Sequence, residues 1–219
     1  MGSQNYLNMA FEKLGHIMLD DMRMKASDIY KLAVKRQKKQ DYNPPVYNEN
    51  KINIRSVFEK GGMCFYVTPK NASVKEYFMF LHGGGFVSQM SRNEWRFVLD
   101  TVESTGYGAV VPVYPIAPDH SAAEAVDMLA GAYEKLCEKE DANRIVLIGD
   151  SSGACLALSV AIQLWKTGIR RPDKLILCSP VLDTEFEDRE LEQEMGDRRK
   201  FVYGYYYTPE IRSFLRQYW

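Results

Sequence analysis

Residues 144 to 165 read R-I-V-L-I-G-D-S-S-G-A-C-L-A-L-S-V-A-I-Q-L-W, an apolar strand pattern that gives way almost at once to an apolar helix pattern. Residues 145–148 are a continuous run of Ile, Val and Leu, as expected of a parallel strand buried on both faces. Beyond Gly149-Asp150-Ser151-Ser152-Gly153, Leu156, Ala157, Val160, Ala161 and Leu164 recur at helical spacing as far as Lys166-Thr167-Gly168, where glycine supplies a C-terminal cap. So short a passage from strand to helix demands a sharp bend. Gly149 and Gly153 flank it because side chains there would collide across the turn. Such a bend is a nucleophile elbow, and it presents the hydroxyl of Ser151 at its apex.

A second element lies upstream. Val74 to Leu81 reads as a strand that empties into His82-Gly83-Gly84-Gly85-Phe86. Three consecutive glycines leave backbone N–H groups uncovered. A lone glycine triplet is most simply a flexible turn. Next to an elbow it gains a chemical use, because acyl transfer develops negative charge on a carbonyl oxygen. Preplaced N–H donors aimed at that oxygen are commonly worth about 2.7–4 kcal/mol each. The expected oxyanion hole is therefore Gly83 and Gly84 together with the N–H of Ser152, with His82 and Asp150 as supporting residues of the loop and the turn.

Three blocks together resemble one family, the hormone-sensitive-lipase-like branch of the α/β-hydrolases, which are mostly carboxylesterases. They are His82-Gly83-Gly84-Gly85-Phe86, Tyr114-Pro115-Ile116-Ala117-Pro118-Asp119-His120 before an alanine-rich helix, and Gly149-Asp150-Ser151-Ser152-Gly153. The family usually shows Tyr-Arg-Leu-Ala-Pro-Glu-His in the middle block, so Pro115, Ile116 and Asp119 are departures. Ser152 stands where alanine is usual, a mild change because only its backbone N–H is needed. The resemblance covers about residues 50 to 183 well and the two ends loosely.

What the resemblance also implies is a triad acid and a histidine after further strands, and the chain carries neither. Its histidines are His16, His82 and His120, all before Ser151, whereas the order in this fold is serine, acid, histidine. His16 falls in an N-terminal helical pattern beside Glu12 and Lys13 and reads as a solvated residue. His82 opens the glycine loop, which the family uses it to brace. His120 precedes Ser121-Ala122-Ala123-Glu124, a capping box, and reads as a contact at that helix start. Asp183 follows the strand Leu175-Ile176-Leu177-Cys178; the resemblance gives it a structural place in Ser179-Pro180-Val181-Leu182-Asp183, not a catalytic one. The expectation is a chain that lacks the last strands of its fold and is impaired in catalysis, its sixth strand left as an edge open to self-association.

Strands are expected near Ile52–Phe58 and Met63–Thr68, joined by the hairpin signal Glu59-Lys60-Gly61-Gly62. Ser91 to Glu94 is a capping box opening a helix with Trp95, Val98, Leu99 and Val102 inward, ending before Gly106. Ala109–Val113 gives a fourth strand, and Ser121–Glu138 a helix with Val126, Leu129, Ala130, Tyr133, Leu136 and Cys137 inward. Alternating strand and helix predicts an α/β fold, a mostly parallel sheet with helices on both faces. Residues 1–50 read as a helical cap segment (5–19 and 22–39) and a linker, 51–183 as the hydrolase core, and 184–219 as a cap-like tail. That tail begins acidic and ends aromatic, which suits a pocket wall and simple packing equally well. Arg36 to Pro45, charged and then proline-broken, reads as a linker whose basic residues form a solvated helix end.

With 28 Lys and Arg against 29 Asp and Glu, the net charge of −1 gives no hint of nucleic acid, and no run is long and apolar enough to span a membrane. The first residues lack the zones of a secretory signal, and Cys64, Cys137, Cys155 and Cys178 stand singly. Buried reduced thiols in a cytoplasmic protein, with no metal and no cofactor, are the expectation. Two functions are compatible with these residues. One is hydrolysis of a small-molecule ester through Ser151. The other is a catalytically silent hydrolase fold that binds a small molecule, as the plant gibberellin receptors do.

Overall fold

The hairpin signal at residues 59–62 closes as expected. In a computed structural model of the chain, which describes residues 31, 34, 35 and 37–180 (Lys139 by its backbone alone), β1 (Ile52–Glu59) and β2 (Gly62–Pro69) pair antiparallel with Glu59 opposite Gly62. Lys60 and Gly61, the two loop residues, both have positive φ, 49° and 86°. That twist matches the right-handed twist of the flanking strands. The elements that follow are β3 (Glu76–Leu81), α1 (Arg92–Thr105), β4 (Gly108–Val113), α2 (Ala122–Lys139), β5 (Arg144–Asp150), α3 (Ser152–Thr167) and β6 (Lys174–Cys178). Each falls where the sequence pattern places it, β3 starting two residues later than expected.

Both capping boxes form. Ser91 and Glu94 close the start of α1 and Ser121 and Glu124 the start of α2, each serine side chain accepting from the N3 amide while the N3 carboxylate accepts from the serine amide. Gly106 ends α1 at φ 75° and Gly168 ends α3 at φ 73°. Left-handed backbone of this kind costs glycine nothing.

The strands form a six-stranded sheet in the order β1-β2-β4-β3-β5-β6. The β1–β2 and β2–β4 pairs are antiparallel, and β4, β3, β5 and β6 run parallel. Alternation along the strands separates two faces. Phe65, Val67, Phe78, Phe80, Ala109, Val111, Val146 and Ile148 pack with Trp95, Val98, Leu99 and Val102 of α1. The alternate residues, among them Tyr66, Tyr77, Met79, Leu81, Val110, Ile145 and Leu147, are equally buried. Helices α2 and α3 pack together there, with α3 against β5, β3 and β6. Residues 37–180 belong to one compact unit, Arg36–Leu182. This is the α/β-hydrolase architecture, a mostly parallel sheet with helices on both faces.

Two expectations need correction. In the stretch read as a linker, Lys38 and Lys39 are solvated as expected, but Gln37, Gln40 and Tyr42 are tied to the core. The Gln37 side-chain amide donates to the carbonyls of Val87 (2.8 Å) and Ala117 (2.6 Å), Gln40 exchanges hydrogen bonds with the Gln89 backbone, and the Tyr42 carbonyl accepts from the Trp95 indole. Nor are all the thiols buried. Cys64 and Cys155 are, whereas Cys137 is half-buried and Cys178 is exposed, because β6 is the last strand of the sheet and alternates exposed with half-buried residues. The helical patterns over 5–19 and 22–30, Asp183 and the tail from 184 lie outside the described residues. Among the described residues, no helix is long and apolar enough to cross a membrane.

Trp95 fills the space between α1 and the sheet, edge-on to Phe65 with ring centroids 5.4 Å apart. Trp95→Ala is expected to cost about 3–5 kcal/mol of unfolding free energy. Two positions along, Phe97 is 47% exposed, so Phe97→Ala should cost less than half as much; urea unfolding that ranks the two equally contradicts this packing.

Candidate active site

Parallel pairing of β3 with β5 sets Leu81 opposite Gly149, so the chain leaves both strands side by side. On one side it enters the glycine loop and on the other the elbow. At the apex Ser151 takes φ 50° and ψ −115°, a conformation sparsely populated by residues with a side chain. Its N–H donates to the Cys178 carbonyl at 2.8 Å, which ties the apex to the end of β6. The side chain is half-buried.

The flanking glycines are dictated by contact. A Cβ on Gly149 would lie 2.4 Å from the Gly153 carbonyl oxygen, and one on Gly153 would lie 2.2 Å from the carbonyl oxygens of both Leu81 and His82. No side chain fits at such distances. Gly83 is pressed against the elbow in turn, since its Cβ would meet Asp150 Oδ2 at 2.9 Å and Ser151 Cβ at 3.4 Å. Between Gly83 and the elbow there is thus no room for a side chain without a shift of Asp150.

His82 is buried, and burial pushes its imidazole below the usual histidine range. Its Nδ1 lies 2.8 Å from the Gly83 carbonyl oxygen and its Nε2 lies 3.1 Å from the Gln89 side-chain amide. The Tyr114 ring stacks on it at 4.2 Å, and the Tyr114 hydroxyl donates to the His82 carbonyl at 2.6 Å. Gln89 in turn donates to the Tyr114 carbonyl. His82 braces the loop. His120 is exposed at the start of α2, with Nδ1 3.5 Å from Glu124 Oε1.

One donor expected for the oxyanion hole is otherwise engaged. The Gly83 N–H donates to Glu94 Oε1 at 2.6 Å, so it is already saturated by a carboxylate. Among the described residues the amides of Gly84, Gly85 and Ser152 have no acceptor. Gly84 has φ 115° and Gly85 φ 62°, conformations that glycine adopts freely. The side chain of Ser152 is buried and its hydroxyl has no partner among the described residues.

Sequence reasoning did not reach Glu94, Gln89, Tyr114, Gln37 or Gln40 as parts of this site. Glu94 carried a signal, but of another kind, as the third residue of a capping box. Tyr114 stood in a quoted block without a role. Nothing local marks the two N-terminal glutamines, whose partners lie 49 to 80 positions away.

Comparison with known proteins agrees with this fold. The model of the alpha/beta hydrolase fold family matches residues 78–219. An esterase of Acinetobacter venetianus is 32% identical over 113 residues, covering 51% of this chain and 37% of that protein. A triacylglycerol lipase of Mycobacterium tuberculosis is 30% identical over 118 residues, 53% of this chain and 27% of the lipase. Human hormone-sensitive lipase is 31% identical over 117 residues, 51% of this chain and 11% of that protein. The chain therefore matches well under half the length of each relative. Among solved structures, a Staphylococcus aureus protein described as a candidate esterase superposes with a TM-score of 0.74 at 22% identity, over 90% of this chain and 66% of that one.

Asp150, beside Ser151, yields a test of the site's electrostatics. Burial first, and then the negative charge of Glu94, raises its carboxyl above the usual carboxylate range. Ionised Asp150 is therefore worse off folded than unfolded. The penalty is absent below the unfolded pKa and grows as pH rises through the folded one. Asp150→Asn is expected to stabilise the protein, by more near about pH 7 than near about pH 4. Urea unfolding that gives the same gain at both pH values contradicts this environment.

Proposed function

Because the chain belongs to the alpha/beta hydrolase fold family, we propose that it is built to hydrolyse carboxylic esters of small molecules, with Ser151 as the nucleophile. The observation that carries this is the Ser151 backbone, held at φ 50° and ψ −115° against a glycine loop whose Gly84 and Gly85 amides, with that of Ser152, have no acceptor among the described residues. In the proposed reaction Ser151 Oγ attacks the acyl carbonyl and these amides hold the developing oxyanion. The alcohol leaves, and water releases the acid from the acyl-serine. Residues 51–183 serve as the catalytic core and 1–50 and 184–219 as cap segments. A balanced net charge and single cysteines fit a cytoplasmic setting with no nucleic-acid partner.

Ser151 needs a base to take its proton. His82 is buried with both ring nitrogens engaged in the loop, and His120 faces Glu124 at the surface. Neither has the freedom that proton transfer requires. With no base for Ser151 among the described residues, slow turnover is the proposed behaviour of the chain. Without a base, an oxyanion hole and substrate binding retain about 10³–10⁴-fold over water. That shortfall is also what favours a second reading, a ligand-binding protein that keeps the hydrolase frame.

A fluorophosphonate probe and p-nitrophenyl butyrate separate the two. Covalent labelling at Ser151, absent from Ser151→Ala, with slow hydrolysis above the Ser151→Ala background, is the expected result. If the chain binds a short ester but neither labels nor turns it over, the binding reading replaces the enzymatic one.

A further inference from the structure

The three peptide units of the glycine loop are held one by one, and planarity of each unit means that fixing its carbonyl also fixes the direction of its N–H. In the 83–84 unit, the Gly83 carbonyl oxygen lies 2.8 Å from His82 Nδ1, and the Gly84 N–H has no acceptor among the described residues. In the 84–85 unit, the Gly84 carbonyl accepts from the amides of Val87 (3.2 Å) and Ser88 (3.1 Å), and the Gly85 N–H has no acceptor among the described residues. The 82–83 unit is different, because both of its ends are taken. Its carbonyl accepts from the Tyr114 hydroxyl at 2.6 Å, and its N–H donates to Glu94 Oε1 at 2.6 Å. The unit that leads into the loop is clamped, and the two units after it present donors.

Glu94 is itself anchored. Its second oxygen, Oε2, accepts from the Ser91 amide at 2.7 Å and the Ser91 hydroxyl at 2.6 Å at the start of α1. One carboxylate thus closes a helix with one oxygen and holds the entrance of the glycine loop with the other. The capping role alone requires only Oε2. Three glycines in succession have little conformational preference of their own, so the direction of the free amides depends on such external ties.

We propose that Glu94 is a positioning residue of the oxyanion site, a two-oxygen bridge that removes the Gly83 amide from the donor set and, by tying it to the start of α1, sets the orientation in which Gly84 and Gly85 present theirs. This rests on the esterase reading for its chemical purpose, but the tie itself can be tested without turnover.

Three variants of the full chain distinguish the bridge from its alternatives. Glu94→Asp keeps the charge and an acid in the first turn of α1, but is one methylene too short to span from Ser91 to Gly83. Glu94→Gln keeps the length and an acceptor for Gly83 while removing the charge. Ser91→Ala weakens the helix cap and removes one of the two bonds to Oε2, but keeps the Ser91 amide on Oε2 and the Gly83 tie on Oε1. In spectra of ¹⁵N-glycine-labelled protein, the Gly83 amide proton is expected far downfield, as a short hydrogen bond to a carboxylate requires. Glu94→Asp should move the resonances of Gly83, Gly84 and Gly85 together, while Ser91→Ala leaves all three in place. Labelling of Ser151 by the fluorophosphonate should slow about 10- to 100-fold in Glu94→Asp and only a few-fold in Glu94→Gln, as expected for displaced rather than deleted donors.

Glycine resonances that respond no more to Glu94→Asp than to Ser91→Ala overturn the proposal, as does the reverse order of labelling, with Glu94→Gln the slower. If the wild-type chain does not label at all, the esterase reading fails. The glycine resonances then decide the bridge by themselves.

Discussion

Everything at the site descends from a close approach between two backbones. The first turn of α3 lies directly on the end of β3, with Gly153 Cα where a methyl group would penetrate the carbonyls of Leu81 and His82. Because β3 and β5 are adjacent and parallel, their C-terminal ends open at the same level, and the loop from one necessarily meets the bend from the other. That is the general position of sites in open parallel sheets. Here the glycines make the approach closer than any side chain permits. The elbow and the glycine loop are set beside each other by the packing of main chain on main chain, which leaves few degrees of freedom for misplacement.

The parts of this arrangement governed by short-range rules stand plainly in the sequence. Lys60-Gly61 supplies the two positive φ values of the hairpin, Ser91-x-x-Glu94 and Ser121-x-x-Glu124 close two helices, and Gly149 and Gly153 flank the bend. Each is a relation between residues a few positions apart. The ties that give the glycine loop its shape are of another kind. Glu94 reaches back 11 positions to Gly83, and Tyr114 reaches 32 to His82. Such partners are set by which strands lie side by side and not by local preference, so a capping glutamate and a loop-holding glutamate look alike in the sequence.

Gln37 and Gln40 carry the same lesson in a polar stretch. Their neighbours Lys38, Lys39 and Asp41 are exposed and give the segment the composition of a linker. The two glutamines between them are turned inward to backbone carbonyls of the glycine loop and of the Ala117 loop. Buried carbonyls in irregular segments must find donors somewhere, and a side-chain amide from a distant segment is a ready source. Composition averages over exactly the residues that differ most in what they do.

The three helix starts show what the site costs the fold. Serine is the N-cap of each of α1, α2 and α3. In α1 and α2 it has extended backbone, φ −89° and −92°, and its side chain accepts from the amide three residues on. In α3 the N-cap is Ser151, whose left-handed backbone leaves its hydroxyl making no cap bond. An absent serine cap is commonly worth about 1 kcal/mol. The same residue type thus stabilises two helices and forgoes doing so in the third. There the first amides of α3 stay without a capping side chain and the positive end of the helix faces the bend. No acidic residue stands in the first turn of α3, whereas Glu94 and Glu124 occupy that turn in α1 and α2. The local sequence of α3 withholds both the hydroxyl and the carboxylate that the other two helices use to neutralise their starts. A helix end left electropositive beside a glycine loop with free amides costs stability, and its physical return is a fixed field for negative charge at Ser151.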